Sequence, residues 1–228
     1  GVEALSRWRH PQRGLILPVE FISLAERIGV INILTLRVLD AAIKQCGAWN
    51  AVNLHIPVAV NLSPASFLDA QLADRIQEIL KKYSCPADSL VLEVTEGTLM
   101  VDTLRAQETL ARLDAMGIAL SRNDVGTAHP SRARLKNLPL SEVKIDRSFV
   151  IDMLEDDNDA AIVRATIDLA HNLGLKVVAE GVETAGHLER LNSFGCDMAQ
   201  GYYLSRPLPA AEMQRLVVSS RKLVLAVA

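Results

Sequence analysis

Acidic and amide side chains recur in this sequence at one kind of place, the end of a short apolar run. Glu3 lies in VEALSRW, Asn61 in VAVNLS, Glu93 and Glu96 in LVLEVTE, and Asn123 with Asp124 in ALSRND. Lys144 and Asp146 follow in EVKID, Glu180 and Glu183 in VVAEGVE, and Gln200 in AQGYYLS. Capping of the next helix is the plain explanation for Asp, Asn or Ser at such positions, and it suits Asp146 and Asn61. It suits Glu3, Glu93 and Glu180 poorly, because glutamate is a weak cap and their apolar neighbours point to burial. A carboxylate buried alone is costly or shifts its pKa. Acids converging on one mouth therefore need a cation between them. Carboxylate and amide oxygens without thiolate or clustered imidazole suit Mg²⁺, Mn²⁺ or Ca²⁺ rather than zinc. His10, His55, His129, His171 and His187 are scattered without HExxH spacing, so each reads as a surface or core histidine. No GxSxG elbow, GxxxxGK[ST] loop or GxGxxG fingerprint is present.

Those residues must be positioned by the elements between them. Strands are expected at Val2–Trp8, Val58–Leu62, Leu90–Val94, Ile118–Ser121, Glu142–Ile145, Lys176–Ala179 and Ala199–Leu204. Helical periodicity near 3.6 runs through Ile31–Trp49, Asp69–Tyr83, Thr103–Met116, Asp159–Leu173 and Ala185–Phe194, and Pro209–Ser219 opens on a proline suited to a first turn. Gly117, Gly174 and Gly195 fall where left-handed helix caps belong. Repeated βα units imply a parallel sheet, and a closed (β/α)8 barrel accommodates this many strands without a glycine-rich phosphate loop. In such folds chemistry gathers at the C-terminal ends of strands. No linker or low-complexity tract divides residues 1–228, which read as a single domain.

With 50% hydrophobic and 22% charged residues, the chain is not disordered. A formal net charge of −3 argues against bulk binding to duplex nucleic acid or an anionic membrane, and 4% aromatics are too few for a single-strand stacking platform. No apolar run is long enough to span a membrane. Cys46, Cys85 and Cys196 are odd in number and form no CxxC pair, consistent with a reduced, cytoplasmic setting. The chain starts at Gly1, inside an expected strand, and so reads as a fragment of a longer protein.

The string Glu3-Ala4-Leu5-Ser6-Arg7-Trp8 resembles the signature of EAL domains, the bacterial phosphodiesterases and receptors of cyclic di-GMP. Asn61-Leu62-Ser63, Glu93-Val94-Thr95-Glu96, Lys144-Ile145-Asp146, Glu180-Gly181-Val182-Glu183, Gln200-Gly201-Tyr202 and Ser205-Arg206-Pro207-Leu208 follow in that family's order and spacing. The resemblance implies a TIM-like barrel, here apparently without its first strand, whose mouth holds the dinucleotide and two Mg²⁺ or Mn²⁺ ions. It casts Glu3, Asn61, Glu93, Asn123 and Asp124 as metal ligands, Lys144 as the group positioning the attacking water, and Glu180 as general base. Arg7 would hold a substrate phosphate, Gln200 would lie against the substrate and metal–water cluster, and Glu96 would tether the following loop. It further implies a homodimer, with regulatory or diguanylate-cyclase-like domains elsewhere in the protein, which could anchor it to a membrane.

One stretch departs from the family pattern. Where relatives carry two consecutive aspartates and a glycine-rich segment, this chain has Asn123-Asp124, then Ala128 and Pro130, with Arg122, Arg132 and Arg134 in or beside the loop. Asn123 can still offer an oxygen but brings no charge, which weakens a divalent site. Loop 122–134 is expected to be less ordered than in relatives and poorly docked on Glu96. Three readings follow: a phosphodiesterase with reduced activity, an inactive cyclic di-GMP receptor relaying a signal to partner domains, and a divalent-metal barrel enzyme acting on a small metabolite. The breadth of the motif match argues against the third.

Overall fold

Uninterrupted runs of β-branched and aliphatic residues form strands because both faces are covered. In the computed structural model, which describes residues 1–94, 104–125 and 139–226, and the side chains of those residues apart from 124, 125 and 221–226, these runs build one parallel sheet. Its members in chain order are β1 (Val2–Glu3), β4 (Val58–Leu62), β5 (Leu90–Val94), β6 (Ala119–Val125), β7 (Glu142–Ile145), β8 (Lys176–Ala179) and β9 (Met198–Ala199), hydrogen-bonded in that order. β2 (Trp8–His10) and β3 (Gly14–Ile16) form a separate antiparallel hairpin. Among the described residues the α-helices are eight: α1 (Pro18–Arg27), α2 (Ile31–Asn50), α3 (Leu72–Lys82), α4 (Leu104–Ala115), α5 (Arg147–Asp152), α6 (Asp157–Asn172), α7 (Ala185–Ser193) and α8 (Ala210–Ala226).

The sheet curls. Six neighbour spacings of about 4.8 Å would put the edges of a flat seven-stranded sheet roughly 29 Å apart. Yet Gln200 Nε2, just past edge strand β9, donates to Glu3 Oε2 on the opposite edge strand β1 at 2.7 Å. This is the barrel expected, with seven strands among the described residues and β1 and β9 as its edges.

Four strands fall where the apolar runs put them. The first does not: Val2–Trp8 is divided, with β1 ending at Glu3 and Trp8 opening the hairpin. β6 runs on to Val125 rather than ending at Ser121, and β9 ends at Ala199 rather than Leu204. Gly117, Gly174 and Gly195 take positive φ after α4, α6 and α7 as expected.

Two apolar cores lie side by side. One is built on α2, α3, α4 and strands β4 to β6, around Leu39, Ile43, Ile76, Leu92 and Leu120. The other is built on α5, α6, α7 with β7 and β8, around Ile145, Val163, Ile167 and Ala179. They meet at the β6–β7 pairing, whose register shifts between Arg122 and Val125. Asn123 lies in that irregularity.

Candidate active site

Strand register brings the acids and amides together. Asn61 on β4 lies directly opposite Glu93 on β5, so both side chains leave the same face at the same height. Asn61 Nδ2 donates to Glu3 Oε1 at 2.7 Å. Asn123 Nδ2 donates to both Asn61 Oδ1 and Glu93 Oε2 at 3.0 Å. From the other core, Lys144 reaches in from β7. Its Nζ lies 2.8 Å from Glu93, 2.5 Å from Glu180 and 3.4 Å from Glu3. Gln200 closes the ring onto Glu3. Seven predicted residues (Glu3, Asn61, Glu93, Asn123, Lys144, Glu180 and Gln200) thus form one continuous polar cluster at the C-terminal ends of the strands.

The cluster is deep. Glu93 is 1% exposed and Lys144 2%. Burial pushes the Glu93 carboxyl above the ordinary glutamate range, with Glu3 adding to the rise and Lys144 opposing it. For Lys144 burial works against the charge, but the three surrounding carboxylates outweigh it and hold the ammonium above the usual lysine value. The protein itself thus supplies one cation among the three converging acids. Sequence reasoning had Lys144 positioning water; its pairing with all three acids was missed, although an apolar-flanked lysine among strand-end glutamates was the available signal.

Among the described residues no three His, Cys, Asp or Glu side chains gather into a metal-holding group. The donor chemistry nevertheless fits a hard divalent cation. Glu3 and Glu93 offer carboxylates, Asn61 offers an amide oxygen, and the buried Asn123 Oδ1 accepts no hydrogen bond among the described residues. Asn123 now turns its NH2 toward Asn61 and Glu93; an aspartate could not do so.

Around the cluster a cavity of about 2260 Å³ is lined by Arg7, Arg147, Glu183, Tyr202 and Arg206 as well as by the cluster residues other than Asn61. Arg7 is exposed, donates to the Ser6 carbonyl at 2.8 Å and, among the described residues, pairs with no carboxylate. Asp146 is a cap, as read: its carboxylate accepts the Ser148 amide at 2.8 Å. Asn61 is not; it belongs to the cluster. Glu96, the side chain of Asp124 and residues 126–138 lie outside the described residues, so the expected tether, the second metal ligand and most of loop 122–134 do too.

Similarity to known proteins points the same way. The EAL domain family profile matches residues 1–207. The bifunctional diguanylate cyclase/cyclic di-GMP phosphodiesterase MucR of Pseudomonas aeruginosa is 45% identical over 214 residues, 93% of this chain and 31% of MucR. The cyclic di-GMP phosphodiesterase NbdA of the same organism is 41% identical over 221 residues, 96% of this chain and 28% of NbdA. The chain thus spans less than a third of either relative's length. A solved structure of the MucR phosphodiesterase in complex with c-di-GMP superposes with a TM-score of 0.88 at 44% identity, covering 92% of this chain and 86% of that one. With a profile match over nearly its whole length and a polar cluster built from the strand-end residues that match the motifs, this chain belongs to the EAL domain family.

Proposed function

We propose that this chain, as a single domain over residues 1–228, binds cyclic di-GMP across the cavity mouth and hydrolyses it to linear pGpG. The observation that carries this reading is the single cluster joining Glu3, Asn61, Glu93, Lys144, Glu180 and Gln200, in a chain similar to named cyclic di-GMP phosphodiesterases. Two Mg²⁺ or Mn²⁺ ions, held through Glu3, Asn61, Glu93, Asn123 and Asp124, would lower the pKa of water and offset charge on the attacked phosphate. Arg7, whose planar guanidinium suits phosphate oxygens, binds a phosphate of the dinucleotide. Glu180 takes the proton of the attacking water, which adds to phosphorus as the bond to the leaving ribose oxygen breaks, and that oxygen takes a proton from solvent water. Lys144 holds Glu180 in place at 2.5 Å and orients the water. Gln200 fixes Glu3 and borders the substrate.

Asn123 favours a second reading, a receptor that binds without turnover, because the position supplies no negative charge between ions. The homodimer, the cytoplasmic setting and attached regulatory or diguanylate-cyclase-like domains belong to the proposal as well. No helix among the described residues is long and apolar enough to cross a membrane. The test is to mix the chain with cyclic di-GMP and Mn²⁺ and separate the nucleotides. Metal-dependent appearance of pGpG is expected. Intact nucleotide with measurable binding gives the receptor reading the site, and no binding at all removes both.

A further inference from the structure

The loop carrying Glu180 is held from two sides. Toward β9, the Val182 amide donates to the Gln200 carbonyl at 3.0 Å and its carbonyl accepts the Tyr203 amide at 3.0 Å. Gly201 packs so closely there that a Cβ would lie 2.1 Å from the Val182 carbonyl oxygen. Toward β7, Glu180 donates its amide to the Ile145 carbonyl at 3.2 Å, and Gly181, at φ +78°, rests on the backbone of Arg147.

A further hold on the β7 side is a histidine. His187, 5% exposed, sits at the third position of α7, where Thr184 is the cap. Its Nδ1 accepts the amides of Glu183 and Thr184, each at 3.3 Å, and lies 3.2 Å from the Thr184 hydroxyl. Its Nε2 lies 3.1 Å from the Ile151 carbonyl in α5. With amide donors on Nδ1, the ring's one proton belongs on Nε2, donated to Ile151. One imidazole therefore ties the end of the Glu180 loop to the helix that follows Lys144. In sequence this is Thr-x-x-His, a capping box with histidine in the place usually taken by Glu or Gln.

We infer that His187 is a positioning residue for the proposed hydrolysis, a role that rests on the phosphodiesterase reading. Without it, the loop keeps its bonds to β9 and loses a hold on the β7 side, where Glu180 must remain to meet Lys144. The ring itself touches no reacting atom, so it acts through Glu180.

The test uses the whole chain in four forms: unmodified, His187→Ala, His187→Gln and Leu191→Ala. Leu191, 1% exposed in the same helix, supplies a loss of packing that leaves the loop's hydrogen bonds alone. His187→Ala should lower kcat for cyclic di-GMP roughly tenfold with little change in KM, and speed amide exchange at Glu183 and Thr184. His187→Gln, able to accept the same amides, should recover most of the turnover. Leu191→Ala should lower Tm but keep kcat well below Tm. An unchanged kcat in His187→Ala, or an equal loss of turnover in Leu191→Ala, overturns the positioning role while unmodified turnover keeps the phosphodiesterase reading intact. An unmodified chain without turnover removes that reading and the positioning role together, and amide exchange then still shows whether the tether exists.

Discussion

A single amide decides the charge balance of the mouth. Asn123 donates both protons of its NH2, to Asn61 and to Glu93, and so holds two would-be ligands without adding charge. Exchange for aspartate converts those donors into acceptors facing a carboxylate. Asn123→Asp should lower the stability of the metal-free protein by about 1–3 kcal/mol, the cost of leaving buried polar groups unmatched. The same substitution should tighten Mn²⁺ binding, because carboxylate replaces amide in an oxygen site. Thermal melts in chelator and in Mn²⁺ check both signs: Tm should fall in the first and the metal-induced rise should grow in the second. A Tm unchanged in chelator would mean that the two hydrogen bonds carry little. Most of this site was legible beforehand, since strand ends fix which residues can converge, and Glu3, Asn61, Glu93, Lys144, Glu180 and Gln200 all do. What spacing could not disclose was partner choice. A lysine's flexible stem can carry its ammonium to any of several oxygens, so the arrangement of Lys144 among three glutamates needed coordinates.

Elements are joined at the far end of the sheet by an exposed polar group. Asp197, just before β9, accepts the Val177 amide at 2.8 Å and lies 2.9 Å from His171 Nε2 on α6. Burial pulls this carboxyl up, but the bonds from His171 and Val177 outweigh it and hold it below the usual aspartate range. A depressed folded pKa gives stability that is present above the unfolded value of about 3.9 and is lost as pH falls through the folded one. Asp197→Asn should therefore cost only a few tenths to about 1 kcal/mol near neutrality, because solvent screens a pair this exposed, and flatten the acid side of the stability curve below about pH 4. Urea titrations at a series of pH values test it; parallel curves for the two proteins would refute it. At this scale the sequence was uneven. Val58–Leu62, Leu90–Val94, Glu142–Ile145 and Lys176–Ala179 form strands with the expected bounds because apolar runs between helices have one place to go. The hairpin, α1 and the short α5 were not anticipated. Trp8–His10 pairs with Gly14–Ile16, and neither is marked as a strand beforehand: Trp8-Arg9-His10 carries no apolar run, and Gly14-Leu15-Ile16 is only three residues long. β9 ends early because Gly201 turns against the backbone of Val182, a tertiary contact with no local signature.

Seen whole, the molecule places its cluster across the seam between two apolar cores. Asn61, Glu93 and Asn123 extend from strands packed on the first core, whereas Lys144 and Glu180 extend from the second. Local opening follows such cores. Ile167→Ala, which empties a fully buried position in the second core, should cost about 2–5 kcal/mol and raise amide exchange in β7, β8 and α6 more than in β4 and β5. Equal increases on both sides would mean that the barrel opens as one unit. The clasp between Gln200 and Glu3 has a mechanical consequence. β1 is held to the sheet by only two paired residues, and Glu3 is one of them. Tension along β1 loads Val2, which packs on the first core, and Glu3, and from Glu3 it reaches Asn61, Lys144 and Gln200. The mouth of this barrel is therefore coupled to strand β1 like a latch to its pull-cord: a pull along that strand is felt by the reacting groups as well as by the first core, on which Val2 packs.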